Sequence, residues 1–231
     1  MKLRLLVLEG ELFLPKYNKL NHILIPVNVM KQSHHIKEIF MYFLPKIELD
    51  GSSKLTIYFK EKPKDKKKYD CFCTRHVHVS WYYVDENDIL NLKKLNMDKE
   101  DLEDCYLNII ADTLKYIAKE NHCEQKIFTI IEETIQKVKD SEYKLTQKIK
   151  KLSRVSLDKC FRASVYRHLD SQGEIWFVEI QDKNKKVNRY DIMEKPTHIS
   201  KLNVYEKSKW EEGKFLLLDR FDRVVTEVKV N

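Results

Sequence analysis

"DKEDLEDCYLNIIADTLKYIAKENH" runs from Asp98 to His122, and its period decides the class of fold. Leu102, Cys105, Tyr106, Ile109, Ile110, Thr113, Leu114 and Ile117 recur at spacings of three and four, which places them on one face of a helix. Asp98 suits the N-cap, and the acids of the first turn match the positive end of the helix dipole. A second helix is expected directly after it, because Phe128, Ile131, Ile135, Val138, Leu145, Ile149 and Leu152 form one apolar stripe among Lys, Glu and Gln. Such a helix is long enough to brace two sheets or to dimerise. A shorter helix around Asp88–Leu95 is expected ahead of both.

On either side of this segment the period falls to two. Before it, strands are expected at Leu3–Leu8, His22–Met30, Ile36–Leu44, Leu55–Glu61 and Cys71–Val84, divided by Pro-, Gly-, Asn- and Asp-bearing turns. After it, strands are expected at Lys159–His168, Glu174–Gln181, Val187–Met193, Leu202–Tyr205, Lys214–Asp219 and Arg223–Val230, with hairpin turns at "LDSQG", "DKNKK" and "RFD". Strands, then helices, then strands indicate an α+β fold, without the alternation that makes a parallel sheet. The expected parts are an antiparallel β-rich segment (1–84), a central helical pair (85–154) and a second antiparallel β-rich segment (155–231). They form either separate lobes or one composite domain.

A chain of 231 residues with 42% hydrophobic residues can bury a sizeable core. With 34% charged residues and no apolar run near the ~20 needed to span a bilayer, it is expected to be soluble, with no membrane partner. "MKLRLLVLEGELFLP" is interrupted by Glu9 and Glu11 and lacks a small-residue cleavage site, so it reads as a first strand of a cytoplasmic protein. The odd set Cys71, Cys73, Cys105, Cys123 and Cys160 suits a reducing compartment. The net charge of +7 is carried mostly by lysine, since only eight of the 43 basic residues are arginine, the residue that reads phosphates and guanines bidentately.

Few motifs carry chemistry. In "CFCTRHVHVSWYYV" (71–84), alternation along one strand would turn Cys71 and Cys73 away from His76 and His78, which excludes a four-ligand zinc site. His76 and His78 remain as weak metal candidates that need a third ligand, for example His34, His35 or His22. Asp219 or Asp222, followed by Glu227 and Lys229, echoes the acidic-then-Glu-x-Lys pattern of metal-dependent nucleases. The only four glycines, Gly10, Gly51, Gly173 and Gly213, stand in no phosphate-cradling pattern, which disfavours nucleotide-driven enzymes. No cofactor is expected.

Two loops are strongly basic. One holds Lys60, Lys62, Lys64, Lys66, Lys67 and Lys68, and the other Lys183, Lys185, Lys186 and Arg189. Trp210 in the charged "EKSKWEEGK" has the composition of an interface anchor, and Trp176 lies in "GEIWFVEI". The expected function is therefore recognition: a non-catalytic module that occludes a partner's surface, like the small bacterial immunity or inhibitor proteins that neutralise a toxin or enzyme. Its candidate contacts are Trp210, Trp176, Lys66, Lys67, Lys68, Lys185 and Lys186, and its basic face would favour an acidic partner. The alternatives are nucleic-acid binding through the lysine loops and a metal-dependent hydrolase or nuclease.

Overall fold

The computed structural model describes residues 1–18, 21–86 and 99–230. It is an α+β protein whose β-rich segments flank a helical pair, and it divides into two compact units, Met1–Tyr143 and Lys144–Asn231. The helix expected at Asp88–Leu95 and the cap expected at Asp98 lie outside the described residues.

In the first unit, strands β1 (Leu5–Glu9), β4 (Lys54–Tyr58), β6 (His78–Tyr83) and β5 (Tyr69–Cys73) form a sheet in the order β1-β4-β6-β5. A hairpin of β2 (Glu11–Asn18) and β3 (Asn21–Asn28) stands between β1 and helix α1 (Val29–Phe43). The sheet differs from an antiparallel meander: β1 pairs parallel to β4, β4 pairs parallel to β6, and only β5–β6 is antiparallel. The reason is α1, which occupies the segment expected as a strand at Ile36–Leu44 and supplies the crossover that a parallel pair requires. Its start is set by Asn28, whose side chain accepts from Lys31 N at 3.0 Å. Val29, Ser33, Ile36, Ile39 and Phe40 are buried at helical spacing.

Helix α2 (Lys99–Glu120) buries Tyr106, Ile109, Ile110, Thr113, Leu114 and Ile117, the face foreseen from the spacing. Its Tyr106 meets Phe59 edge-on, and its Tyr116 meets Tyr69 and Tyr82 of the sheet. Helix α3 (Gln125–Asp140) is shorter than its apolar stripe suggests. Glu142 and Tyr143 both take positive φ, and two successive left-handed residues end a helix. The rest of the stripe belongs to the second unit.

That unit opens with β7 (Leu145–Lys148), a 3-10 turn at Lys150–Leu152 and β8 (Arg154–Val155). There follow β9 (Arg162–Asp170), β10 (Gly173–Gln181), β11 (Val187–Asp191), β12 (Lys207–Glu211), β13 (Lys214–Leu218) and β14 (Val224–Lys229). Every pairing here is antiparallel. One sheet runs β11-β10-β9-β7 with β8 also on β9, and the other runs β12-β13-β14. The segment expected as a strand at Leu202–Tyr205 is irregular, with a turn at 202–204, and the strand in this region is Lys207–Glu211.

The core of the unit is Ile149, Leu152, Ala163, Val165, Trp176, Val178, Ile180, Tyr205, Phe215, Leu217 and Val228. Within it Arg167 Nη2 donates to Glu174 Oε2 at 2.6 Å, and Glu174 Oε1 accepts from Trp176 Nε1 at 2.5 Å and from Lys201 N at 2.8 Å. Gly173 beside it has φ +124, and a Cβ there would stand 2.6 Å from the Thr197 carbonyl oxygen, so only glycine admits this approach.

Candidate functional site

The stretch Cys71–Val84 is a hairpin. Thr74 N donates to Val77 O at 2.7 Å, the chain reverses, and Cys73 pairs with His78 across the ladder while Cys71 pairs with Ser80. Paired residues share a face, so the thiols do not point away from His78 as alternation on one strand requires. His76 lies in the exposed turn, outside β6, which begins at His78, so the two do not alternate along one strand. Among the described residues no three His, Cys, Asp or Glu side chains converge to hold a metal ion. His34 and His35 are buried in α1, where His35 Nε2 meets Glu103 Oε1 at 2.8 Å.

The hairpin instead frames a polar cluster around Asp50. Asp50 Oδ1 accepts from Ser52 N at 2.9 Å and Ser52 Oγ at 2.6 Å, and Oδ2 accepts from Tyr69 OH at 2.8 Å. Asn121 Nδ2 donates to the same phenol oxygen at 3.0 Å, and Ser80 Oγ lies 2.9 Å from Ser52 Oγ. Cys71 and Cys73 hold their sulfurs 3.0 Å apart against the Asp50 carbonyl, and Cys123 Sγ donates to Leu49 O at 3.4 Å. All five cysteines are free thiols.

Burial, then the neighbouring Cys73 and Asp50, push the Cys71 thiol up to about 12, so the free thiol is protonated at neutral pH. Burial also raises Tyr69 far above a free phenol. Burial would raise Asp50 too, but the bonds from Ser52, Tyr69 and Ser80 outweigh it and hold its carboxyl below 3.8. The cluster therefore ties loop 47–53 to the sheet, with its groups satisfying one another.

A carboxyl depressed in the folded state adds stability above its unfolded value of about 3.9, and that stability is lost as the pH falls through the folded value. Asp50→Asn is accordingly expected to destabilise the protein by about 1.5–3 kcal/mol at pH 7. The gap should begin to narrow as the pH falls below about 3.9 and close only once it passes below the folded value. Thermal melts of both proteins at pH 7 and pH 3 check this, and a gap of the same size at both pH values contradicts the assignment.

At the C-terminus each acid of the nuclease-like pattern is already engaged. Asp219 is bound by Arg223, whose Nε donates at 2.7 Å, and by the peptide N–H groups of Phe221 and Arg223. Asp222 meets Lys207 at 2.7 Å, and Glu227 lies between Lys214 and Lys229. These are cross-strand charge pairs and turn caps.

The lysine loops belong to different units. Lys66 and Lys67 are exposed. Lys68 is half-buried, bonded to Asp85 and placed over the Tyr82 and Tyr116 rings at 5.2 Å. The groove beside it mixes Lys62, Lys64 and Lys68 with Glu61, Asp85 and Glu86, so its charges largely cancel. Lys185 and Lys186 are exposed at the β10–β11 turn, which Asp182 closes by accepting from Lys186 N.

The tryptophans divide. Trp176 is fully buried and bonded to Glu174, so it is a core residue and not a partner contact. Trp210 is half-buried, stacked on Phe161 at 6.0 Å and against Phe215 at 5.3 Å, with Nε1 donating to Arg154 O at 3.4 Å. It closes the core edge with one side still open.

The β13–β14 hairpin, expected only as a turn, carries an exposed aromatic at its tip. Phe221, at the tip of the β13–β14 hairpin, is 61% exposed, and Val224 and Val225 after it are 55% and 41% exposed. The guanidinium carbons of Arg220 and Arg223 stand 4.5 and 5.1 Å from the Phe221 ring centre. Beside it lies an open groove of about 540 Å³ that mixes Val204, Phe221 and Val225 with Arg220, Arg223, Glu206 and Asp219. The visible signal was "RFD" itself, a large aromatic where a hairpin turn usually takes a small polar residue.

No helix among the described residues is long and apolar enough to cross a membrane. Comparison of the chain with protein-family models, with curated proteins and with solved structures returned no match.

Proposed function

We propose that this protein is a non-catalytic binding module that acts by occupying a partner protein's surface, in the manner of an inhibitor or immunity protein. The observation that carries the reading is the exposed Phe221, flanked by Arg220 and Arg223 and followed by exposed Val224 and Val225. Aromatic and arginine side chains supply most of the energy at interface hot spots, and an exposed apolar patch rimmed by charge is the usual form of such a site. Arg223 is already paired with Asp219, and Arg220 is the cation that favours a partner whose docking face is acidic. Five free thiols support a reducing, cytoplasmic setting. Nucleic-acid binding through the lysine loops has less support, because the Lys62–Lys68 groove carries as many acids as lysines.

The test is a stoichiometric complex isolated at physiological salt, followed by Phe221→Ala. The substitution is expected to weaken the complex at least about tenfold, the effect of losing a hot-spot aromatic. Equal affinity for both proteins, or the lack of any stoichiometric protein partner, contradicts the reading.

A further inference from the structure

Cys71 and Cys73 share one face of β5, which is an edge strand of the N-terminal sheet, and their sulfurs stand 3.0 Å apart. Both thiols also meet a single acceptor, the carbonyl oxygen of Asp50, at 3.5 and 3.9 Å. Cys73 is exposed and Cys71 is half-buried beside it. A dithiol held this close, with one sulfur open to solvent, has the geometry for exchange with a soluble disulfide.

We propose that Cys71 and Cys73 form a reversible disulfide by exchange with a small-molecule disulfide of the glutathione class, which makes the edge of this sheet a redox modification site. The exposed Cys73 thiolate attacks one sulfur of the reagent and expels the other as a thiolate, leaving a mixed disulfide. The Cys71 thiolate then attacks the Cys73 sulfur and expels the second reagent thiolate. The protein dithiol is oxidised by two electrons, the reagent is reduced to two thiols, and those thiols take up the two protons. Cys73 is one of the groups that keep Cys71 protonated, and once its sulfur is in the mixed disulfide it can no longer carry the charge that opposes ionisation.

Three features make the bond labile rather than structural. Alternate residues of a strand lie about 6.4–6.8 Å apart at Cα, the far end of the roughly 4.4–6.8 Å that a disulfide spans, so closure strains the strand. A ring closed over a single intervening residue restrains little of the unfolded chain and adds little stability. The reduced form keeps its contacts with the Asp50 carbonyl, which the disulfide gives up, so oxidation also releases one tie between loop 47–53 and the sheet. The site belongs to the first unit and does not depend on the reading of Phe221.

The test equilibrates the reduced whole protein in glutathione buffers of graded oxidation, traps it with acid and an alkylating reagent, and maps it by mass spectrometry. Trypsin cleaves after Lys68 and Arg75, so both sulfurs fall on one peptide, 69–75, that holds no other cysteine. That peptide is expected to pass from doubly alkylated to unalkylated and lighter by two hydrogens, and to return with dithiothreitol. Cys71→Ser should accumulate the mixed disulfide at Cys73, whereas in Cys73→Ser the remaining Cys71 should react at least about tenfold more slowly. Four results would overturn the proposal: two intact thiols in glutathione disulfide alone, an internal bond that persists in a buffer poised like a reducing cytosol, a glutathione adduct as the end product in wild type, or equal reaction rates in the two single variants.

Discussion

Glu174→Ala is expected to cost the C-terminal unit about 3–5 kcal/mol, the usual penalty for stranding one member of a buried ion pair. The side chains of Arg167 and Glu174 are 3% and 0% exposed, so water cannot replace the lost partner. The same carboxylate also receives the Trp176 indole N–H and the Lys201 peptide N–H, and both donors lose that acceptor in the mutant. A typical domain has only 5–15 kcal/mol of stability, so this one change should lower the urea midpoint steeply and expose the unit to proteolysis. The double variant Arg167→Met with Glu174→Leu should recover most of the loss, because replacing a whole buried pair with apolar side chains of similar volume is often neutral or better. Urea unfolding followed by tryptophan fluorescence checks both. If Glu174→Ala costs under about 1 kcal/mol, the pair is not buried as described.

Phe40→Ala should have an effect of the same size in the first unit, about 3–5 kcal/mol, through loss of transfer energy and a cavity that the neighbours fill only in part. Phe40 is fully buried on α1, in line with Val29, Ser33 and Ile36. Tyr42, two residues on and 49% exposed, is the internal control, and Tyr42→Ala should stay within about 0.5 kcal/mol of wild type. Equal effects from the two substitutions would show that α1 does not present the face described.

Helix α2 was legible in the sequence because its apolar residues hold a spacing of three and four through four turns with little interruption. Helix α1 was not: "KQSHH" has the polarity of a turn, and its burial depends on His34, His35 and Ser33, residue types that usually remain outside. Without α1 the parallel pairing of β1 and β4 had no visible crossover, which is why the N-terminal sheet read as a meander. The turn between β5 and β6 escaped notice because "TRHV" has no Gly, Pro, Asn or Asp; Thr74 closes it, its hydroxyl accepting from Val77 N at 3.0 Å. Strand β12 escaped because "KSKWE" alternates without aliphatic residues, and Trp210 alone carries its inward face. The Asp50 cluster draws on Asp50, Ser52, Tyr69, Ser80 and Asn121, which no spacing rule connects.

The pairing order of the N-terminal sheet also bears on the sequence of events as the chain folds. β5 and β6 are neighbours in the chain and can close as a local hairpin within microseconds. β6 must then dock beside β4, with Lys54 opposite Val79, before the centre of the sheet exists. Among the described residues β1 pairs only with β4, and its register sets Leu5 against Lys54 across the whole β2–β3 hairpin and α1. Closing that loop carries the entropy of a long-range contact, so β1 is among the last strands to be secured.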